Sequence, residues 1–293
     1  MEEKRFAVFI LSHGRANEIL TVDMLKNFHY TGDWYVVIDN EDDQESIYRE
    51  KFGEHILQFD KIEYAEKTDT GDLENDRRVG VFACNAIQDF AYDMGYKYHL
   101  QLDDDFRDIR IRLPIPGKKT SLSCPVVKDL DRLFDAMLDF MDTTPVAWLT
   151  FNLSSGYLGG SQNASYKKGL VPKCMGSFLM RRDQRIYFRM RMNDDIITCV
   201  STWMVGIPNY TVAKLQVSTP ETQKMKGGMT DIYVDNGTYR KSFYSVMTNP
   251  SCEKVAKQGI THFRIHHQTA WENCAPKVLD EKWRKARPDN AEV

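Results

Sequence analysis

No two of the six cysteines, Cys84, Cys124, Cys174, Cys199, Cys252 and Cys274, stand two residues apart. That argues against a structural zinc site or a compact disulfide framework, and a reducing, cytoplasmic setting is expected. The chain also lacks an apolar run long enough to span a bilayer, and no signal-peptide core follows Met1-Glu2-Glu3-Lys4-Arg5. No membrane partner is therefore expected. Charge excess of either sign is missing too: the formal net charge is -3, so any contact with nucleic acid needs a local basic patch. Internal repeats and long linkers are absent. What remains, 293 residues with 42% hydrophobic and 28% charged side chains, is an ordinary globular composition with enough chain for a large core.

The first third alternates strand and helix patterns. Phe6 to Leu11 is a continuous apolar run, which suits a strand buried on both faces, and Ile19, Leu20, Leu25 and Phe28 follow at helical spacing. Trp34 to Ile38 and His55 to Phe59 predict two more strands, and 67–72 a turn-rich loop. From Glu74, apolar residues at helical spacing predict a long amphipathic helix leading into Tyr98 to Leu102. Such βαβ order implies an α/β fold with a mixed, mostly parallel sheet flanked by helices, whose ligands bind beyond the carboxyl ends of the strands. Further on, 129–141 predicts a helix, 147–153 a strand, and the Gly/Ser/Asn-rich stretch 156–169 a mobile loop. A single domain is the simplest organisation.

The strand at Tyr98 to Leu102 ends in three aspartates. In an extended chain Asp103 and Asp105 project together and Asp104 points the other way. Two carboxylates on one face suit Mg²⁺ or Mn²⁺, which commonly complete their shells with water and substrate phosphates. The bland alternative is a solvated acidic turn. Near the carboxyl ends of the first two strands lie Ser12, His13, Arg15 and Asp39, the last able to accept from a nucleoside and Arg15 to approach a phosphate. Asp194 and Asp195 precede an apolar helix, where they are either simple helix-start charges or a general base. His262, His266 and His267 cluster late in the chain, and one of them is a candidate metal ligand.

These blocks resemble GT-A glycosyltransferases: an N-terminal strand, a second strand ending in acid, the segment Glu74-Asn75-Asp76-Arg77-Arg78, a strand ending in Asp-x-Asp, then Gly176 to Asp183 and Asn193-Asp194-Asp195. That superfamily usually carries Glu-Asp where this chain has Asp194-Asp195. The late blocks Gly227 to Asp231, Gly237 to Met247 and His262 to His267 look like the TET-associated glycosyltransferases of bacteriophages, which act on 5-hydroxymethylpyrimidines in DNA. The resemblance implies a GT-A, Rossmann-like single domain with a sugar-nucleotide half, 1–112, and an acceptor half, 113–293. It implies a Mn²⁺ or Mg²⁺ ion on Asp103, Asp105 and His266, and a nucleotide-sugar donor, with a UDP-sugar expected, on Ser12, His13, Arg15, Asp39, Arg77 and Asp104. Asp195 or Asp194 is then the catalytic base. The same resemblance implies hydroxymethylated DNA as the expected acceptor and the cytoplasm of an infected bacterium as the expected location.

Charge patterning bears on the acceptor. Arg181, Arg182, Arg185, Arg189 and Arg191 alternate with Tyr187 and Phe188, preceded by Lys167, Lys168 and Lys173. This is either a nucleic-acid track or a set of arginines paired with internal acids or donor phosphates. The stretch 156–169 and Lys224 to Gly228 are candidates to close over substrate. The alternatives to a DNA enzyme are transfer to a glycan or protein and a silent sugar-nucleotide or DNA-binding module.

Overall fold

The computed structural model describes residues 4–220, 239–259 and 263–274. Strand β1 (Lys4–Leu11), β2 (Asp33–Asp39), β3 (Ile56–Phe59) and β4 (Tyr96–Asp103) alternate with helices α1 (Leu20–Asn27), α2 (Glu45–Phe52), α3 (Lys61–Lys67) and α4 (Val81–Asp93). These strands pair in parallel in the order β3-β2-β1-β4. Consecutive strands run outward from β1 to β3, and the chain then returns to the other side of β1. That reversal creates a crevice at the carboxyl ends of β1 and β4, where Leu11 pairs with Asp103.

Beyond β4 the sheet becomes mixed. After β5 (Asp108–Ile111), a small ribbon of β6 (Leu113–Pro114) and β7 (Leu122–Ser123), and helix α5 (Leu130–Asp142), come β8 (Trp148–Asn152), α6 (Ala164–Lys168), β9 (Leu170–Val171), β10 (Ser177–Arg181), α7 (Asp194–Met204) and β11 (Asn209–Ser218). Strand β10 is antiparallel to both β4 and β8, and the order runs on through β8, β11 and β5. Ser177 at the start of β10 pairs with Leu102, so the antiparallel strand begins at the edge where the parallel ones end. Last come α8 (Arg240–Thr248), the hairpin β12 (Glu253–Gln258) and β13 (Arg264–Thr269), and α9 (Trp271–Cys274).

The two-residue strand period explains the layers. Ala7, Phe9 and Val37 face a core shared with α4 and α7 through Phe82, Ile87, Ile197 and Val200. Val8, Ile10, Val36 and Ile38 face the opposite core, with Leu25 of α1 and Phe134 and Leu138 of α5. Both faces are covered, which is why β1 reads as unbroken hydrophobic sequence. Helix α5 is started by Asp129, whose carboxylate accepts from Arg132 N–H at 2.9 Å.

Two local expectations need correction. Residues 74–80 are not helical; α4 starts only at Val81. The reason is Arg191, 2% exposed, whose guanidinium takes both oxygens of Asp72 at 2.7 and 2.8 Å, the Glu74 carbonyl at 2.9 Å and the Asp76 carbonyl. Those carbonyls are unavailable to a helix. Residues 156–169, expected as a mobile loop, carry short 3₁₀ turns and α6, and Ser161 N–H donates to the Thr120 carbonyl at 3.0 Å. Gly160, at φ +58°, approaches that carbonyl so closely that a Cβ would lie 1.8 Å from it.

Arg191→Ala leaves the half-buried Asp72 without its fork and empties the buried guanidinium site. Denaturant unfolding is expected to show a loss of about 1–3 kcal/mol, the cost of leaving such a polar group without its partner. A midpoint unchanged from wild type would show that solvent replaces the guanidinium.

Candidate active site

The chain builds three linked groups along the crevice. The first is a knot at the end of β1. Ser12 Oγ donates to Asp104 Oδ2 at 2.6 Å and meets Tyr48 OH at 2.7 Å; that hydroxyl also accepts from Arg15 N–H at 2.9 Å. Arg15 Nη1 donates to the other Asp104 oxygen at 2.8 Å. Gly14 turns this loop at φ +67° and gives its N–H to Asp42 at 2.8 Å, a conformation that favours glycine. Asp104 is buried with both oxygens engaged, so it positions Ser12 and Arg15.

The second group lies at the end of β2. Asp39 Oδ2 accepts from His13 Nδ1 at 2.8 Å, and Oδ1 from Lys61 Nζ at 3.2 Å and Glu41 N–H at 3.0 Å. Burial pushes the Asp39 carboxyl up, but the hydrogen bond from His13 and the Lys61 charge outweigh it and hold it below its ordinary value. The hydrogen bond to Asp39 raises His13. Arg77 reaches this end through Glu41, with Nε 2.9 Å from Oε1. The structure thus gathers His13, Asp39 and Arg77, with Lys61 and Glu41 as connections.

The third group is acidic. Strand β4 ends at Asp103; Asp104 and Asp105 lie in the following turn. Thr21 of α1 staples that turn: its Oγ1 donates to the Asp103 carbonyl at 2.6 Å and accepts from Phe106 N–H at 3.0 Å, while its own N–H meets the Asp104 carbonyl at 3.2 Å. Burial, then the charges of Asp105, Asp104 and Asp194, push the Asp103 carboxyl well above its ordinary value; burial and Asp104 raise Asp105. Asp194 and Asp195 open α7. Burial and Asp195 raise Asp194 to about 8; burial also raises Asp195, opposed by the Ile196 N–H bond at 2.7 Å and the charges of Lys173 and Lys241.

The cap of α7 is Asn193, at φ +57°, so Asp194 and Asp195 are not its cap residues. Asn193 Nδ2 lies 3.1 Å from the Lys241 carbonyl, 2.9 Å from Ser245 Oγ and 3.0 Å from His267 Nδ1. His267 therefore adjoins the acidic pair. His266 turns Nδ1 to the His267 carbonyl at 2.8 Å, which leaves Nε2 as the nitrogen with a lone pair. Among the described residues no three or more His, Cys, Asp or Glu side chains converge as a metal site, so His266 is not brought together with Asp103 and Asp105. His262 and the blocks at 224–231 and 237–238 lie outside the described residues.

Asp103 and Asp105 nevertheless fit a divalent cation. They are hard oxygen donors, half-buried beside like charge, and few protein ligands leave room for water and phosphate oxygens. Thr21, Tyr48 and Lys61 were not singled out by sequence reasoning, and Asn193 only as the neighbour of Asp194, because their partners lie far along the chain. Lys61 alone carried a signal, as a cation just past a strand's carboxyl end. Thr21→Val keeps the volume but orphans Phe106 N–H, and should cost about 1–3 kcal/mol; a thermal melt indistinguishable from wild type would argue against the staple.

A family model described as TET-Associated Glycosyltransferase matches residues 6–228, which include strands β2 to β11, both aspartate groups and α7. The chain belongs to that family. This glycosyltransferase matches no curated protein. Among solved structures it is similar to glucosyl-3-phosphoglycerate synthase from Mycobacterium tuberculosis in complex with Mn²⁺ and UDP-glucose, at 8% identity and TM-score 0.48, covering 91% of this chain and 87% of that one. The same synthase with Mg²⁺ and UDP matches at 7% identity and TM-score 0.46, covering 91% and 88%. A structure described only as a mycobacterial protein matches at 11% identity and TM-score 0.46, covering 91% and 84%. No helix among the glycosyltransferase's described residues is long and apolar enough to cross a membrane.

The arginine stretch is not an open track. Arg181 binds Asp183 at 2.9 Å and the carbonyls of Met141 and Thr144; Arg185 pairs with Asp89; Arg189 donates to Ser201 Oγ at 2.9 Å; Arg191 is buried. Arg182 lies over the Tyr92 ring at 4.5 Å. Internal pairing accounts for Arg181, Arg185 and Arg191.

Proposed function

We propose that this glycosyltransferase moves a sugar from a nucleotide diphosphate donor, expected to be a UDP-sugar, to the hydroxyl of 5-hydroxymethylcytosine or a related hydroxymethylpyrimidine in DNA. The observation that carries the transfer reading is the placement of Asp103, at the end of β4 where it pairs with Leu11 of β1, within electrostatic reach of both Asp105 and Asp194 at the start of α7. The family membership supports the acceptor. Mn²⁺ or Mg²⁺ held by Asp103 and Asp105 would supply Lewis-acid stabilisation of the leaving diphosphate. Ser12, His13, Arg15, Asp39 and Arg77 bind the donor, with Asp104 and Lys61 orienting them. Asp195, whose charge Lys173 and Lys241 favour, takes the proton from the acceptor hydroxyl.

The test is incubation with Mn²⁺, a panel of UDP-sugars and DNA with or without 5-hydroxymethylcytosine, followed by digestion to nucleosides and mass spectrometry. A glycosylated nucleoside is expected only where the hydroxymethyl group is present. Transfer confined to glycan or peptide acceptors would replace the DNA reading, and no transfer from any donor would leave a sugar-nucleotide-binding module.

A further inference from the structure

The unit formed by α8, β12 and β13 has a composition unlike the rest of the chain. Within 239–259 and 263–274, Arg240, Lys241, Lys254, Lys257 and Arg264 are set against two acids, Glu253 and Glu272, in a protein of net charge -3. Glu253 is buried, with Oε1 accepting from Thr269 at 3.2 Å, so it adds little negative field outside. Lys254, Lys257 and Arg264 are exposed, and among the described residues none of them has a carboxylate within ion-pair distance. The register pairs Arg264 with Gln258 and Lys257 with Ile265, so Lys254 and Arg264 project from one face of the hairpin and Lys257 from the other. Three aromatic side chains of the unit, Tyr239, Phe243 and Phe263, are 55%, 44% and 59% exposed. Lys257 Nζ sits 3.7 Å from the centre of the Phe263 ring, and Tyr239 and Phe243 meet edge to face with ring centres 6.3 Å apart.

The unit is also fastened to the site. α8 packs on both hairpin strands and on α7, and Asn193, the residue before Asp194, bonds the Lys241 carbonyl, Ser245 and His267. A polyanion resting here is therefore beside the acidic pair. The arginines of 181–191 offer no comparable surface, since most of their guanidinium groups are occupied by internal partners.

We propose that the α8/β12/β13 unit is the DNA-docking surface, its two-stranded hairpin presenting Lys254 and Arg264 to backbone phosphates from one face and Lys257 from the other, with Phe243 and Phe263 against bases. Cations provide the charge complement, and exposed rings provide stacking that tolerates any base. The inference rests on the DNA reading above and names the face that the acceptor uses.

The experiment is fluorescence anisotropy of a labelled DNA containing 5-hydroxymethylcytosine across a salt series. Wild type is compared with the Lys254→Ala/Lys257→Ala/Arg264→Ala protein and with Arg185→Ala, with UDP affinity and a thermal melt as controls. The triple variant is expected to lose roughly 2–3 units of salt slope and on the order of tenfold or more in affinity, with UDP binding unchanged. Arg185→Ala should keep the wild-type slope. Phe243→Ala should weaken binding roughly tenfold at unchanged slope. If the triple alanine protein melts early, glutamine at the same three positions removes the charge with less loss of packing. A wild-type slope in the folded triple variant, a slope lost in Arg185→Ala instead, or no DNA binding by wild type overturns the surface. The product assay answers separately. Sugar on DNA together with a wild-type slope in the triple variant sinks the surface and keeps the transfer reading; binding lost in the triple variant with no sugar moved from any donor does the reverse.

Discussion

Asp103→Ala and Asp105→Ala proteins are expected to lose sugar transfer on the order of a thousandfold or more while remaining folded. The magnitude follows from the several kcal/mol that a Lewis acid contributes to a departing diphosphate. Folding should not suffer, because both carboxyls already sit above their ordinary values through burial and neighbouring charge, and removing one relieves repulsion. The measurement is turnover of a UDP-sugar beside a thermal melt, repeated after exhaustive chelation and re-addition of Mn²⁺. Full turnover by a well-folded Asp105→Ala protein, or by the chelated wild type, would remove the metal assignment. Asp104→Ala serves as contrast: it releases Ser12 and Arg15, so it should weaken donor binding as well as turnover.

The second large effect separates the two acids of α7. Asp195→Asn is expected to lower transfer by roughly 10²–10⁴-fold, the range for a positioned general base, with UDP affinity near wild type by calorimetry. Asp194→Asn should behave differently in stability. Burial and Asp195 raise the Asp194 carboxyl to about 8, so the folded state holds a proton that the unfolded chain gives up near pH 4. Its stabilising contribution is complete below that unfolded value and is lost as pH rises toward about 8. In chelator, the melting temperature of Asp194→Asn should therefore match wild type near pH 4 and exceed it near pH 8. A wild-type melting curve that is flat across that window would show that the carboxyl is not held neutral. If Asp195→Asn keeps ordinary rates while Asp194→Asn loses them, the base is Asp194.

How legible the fold was depended on how locally each element is determined. β1 and α5 were readable because Phe6 to Leu11 is unbroken and Phe134, Met137, Leu138 and Met141 repeat on one helical face. Helix α2 was not, since it buries little beyond Tyr48 and so carries almost no period. The error at 74–80 had a remote cause, the Arg191 fork more than a hundred residues away, beside local turns in which Asp72 and Asp76 accept from the N–H groups of Glu74 and Arg78. The site divides along the same line. Asp103 to Asp105 and Asp194-Asp195 stood out because charge interrupts apolar sequence, whereas the partners that aim them, Thr21, Tyr48 and Asn193, are chemically ordinary until folding brings them in. The arginines of 181–191 show the converse: a dense local pattern whose meaning was set by Asp89 and Asp72.

Asp72 is shared: besides the Arg191 fork, its Oδ2 accepts from the hydroxyl of Tyr244 in α8. Helix α8 has only nine residues, too short to persist alone in water, yet it cannot fray without stripping a partner from a carboxylate that Arg191 holds far inside the chain. Its amides and those of the 72–76 segment should accordingly exchange with solvent as one opening unit rather than at the separate rates expected of a terminal helix and a loop.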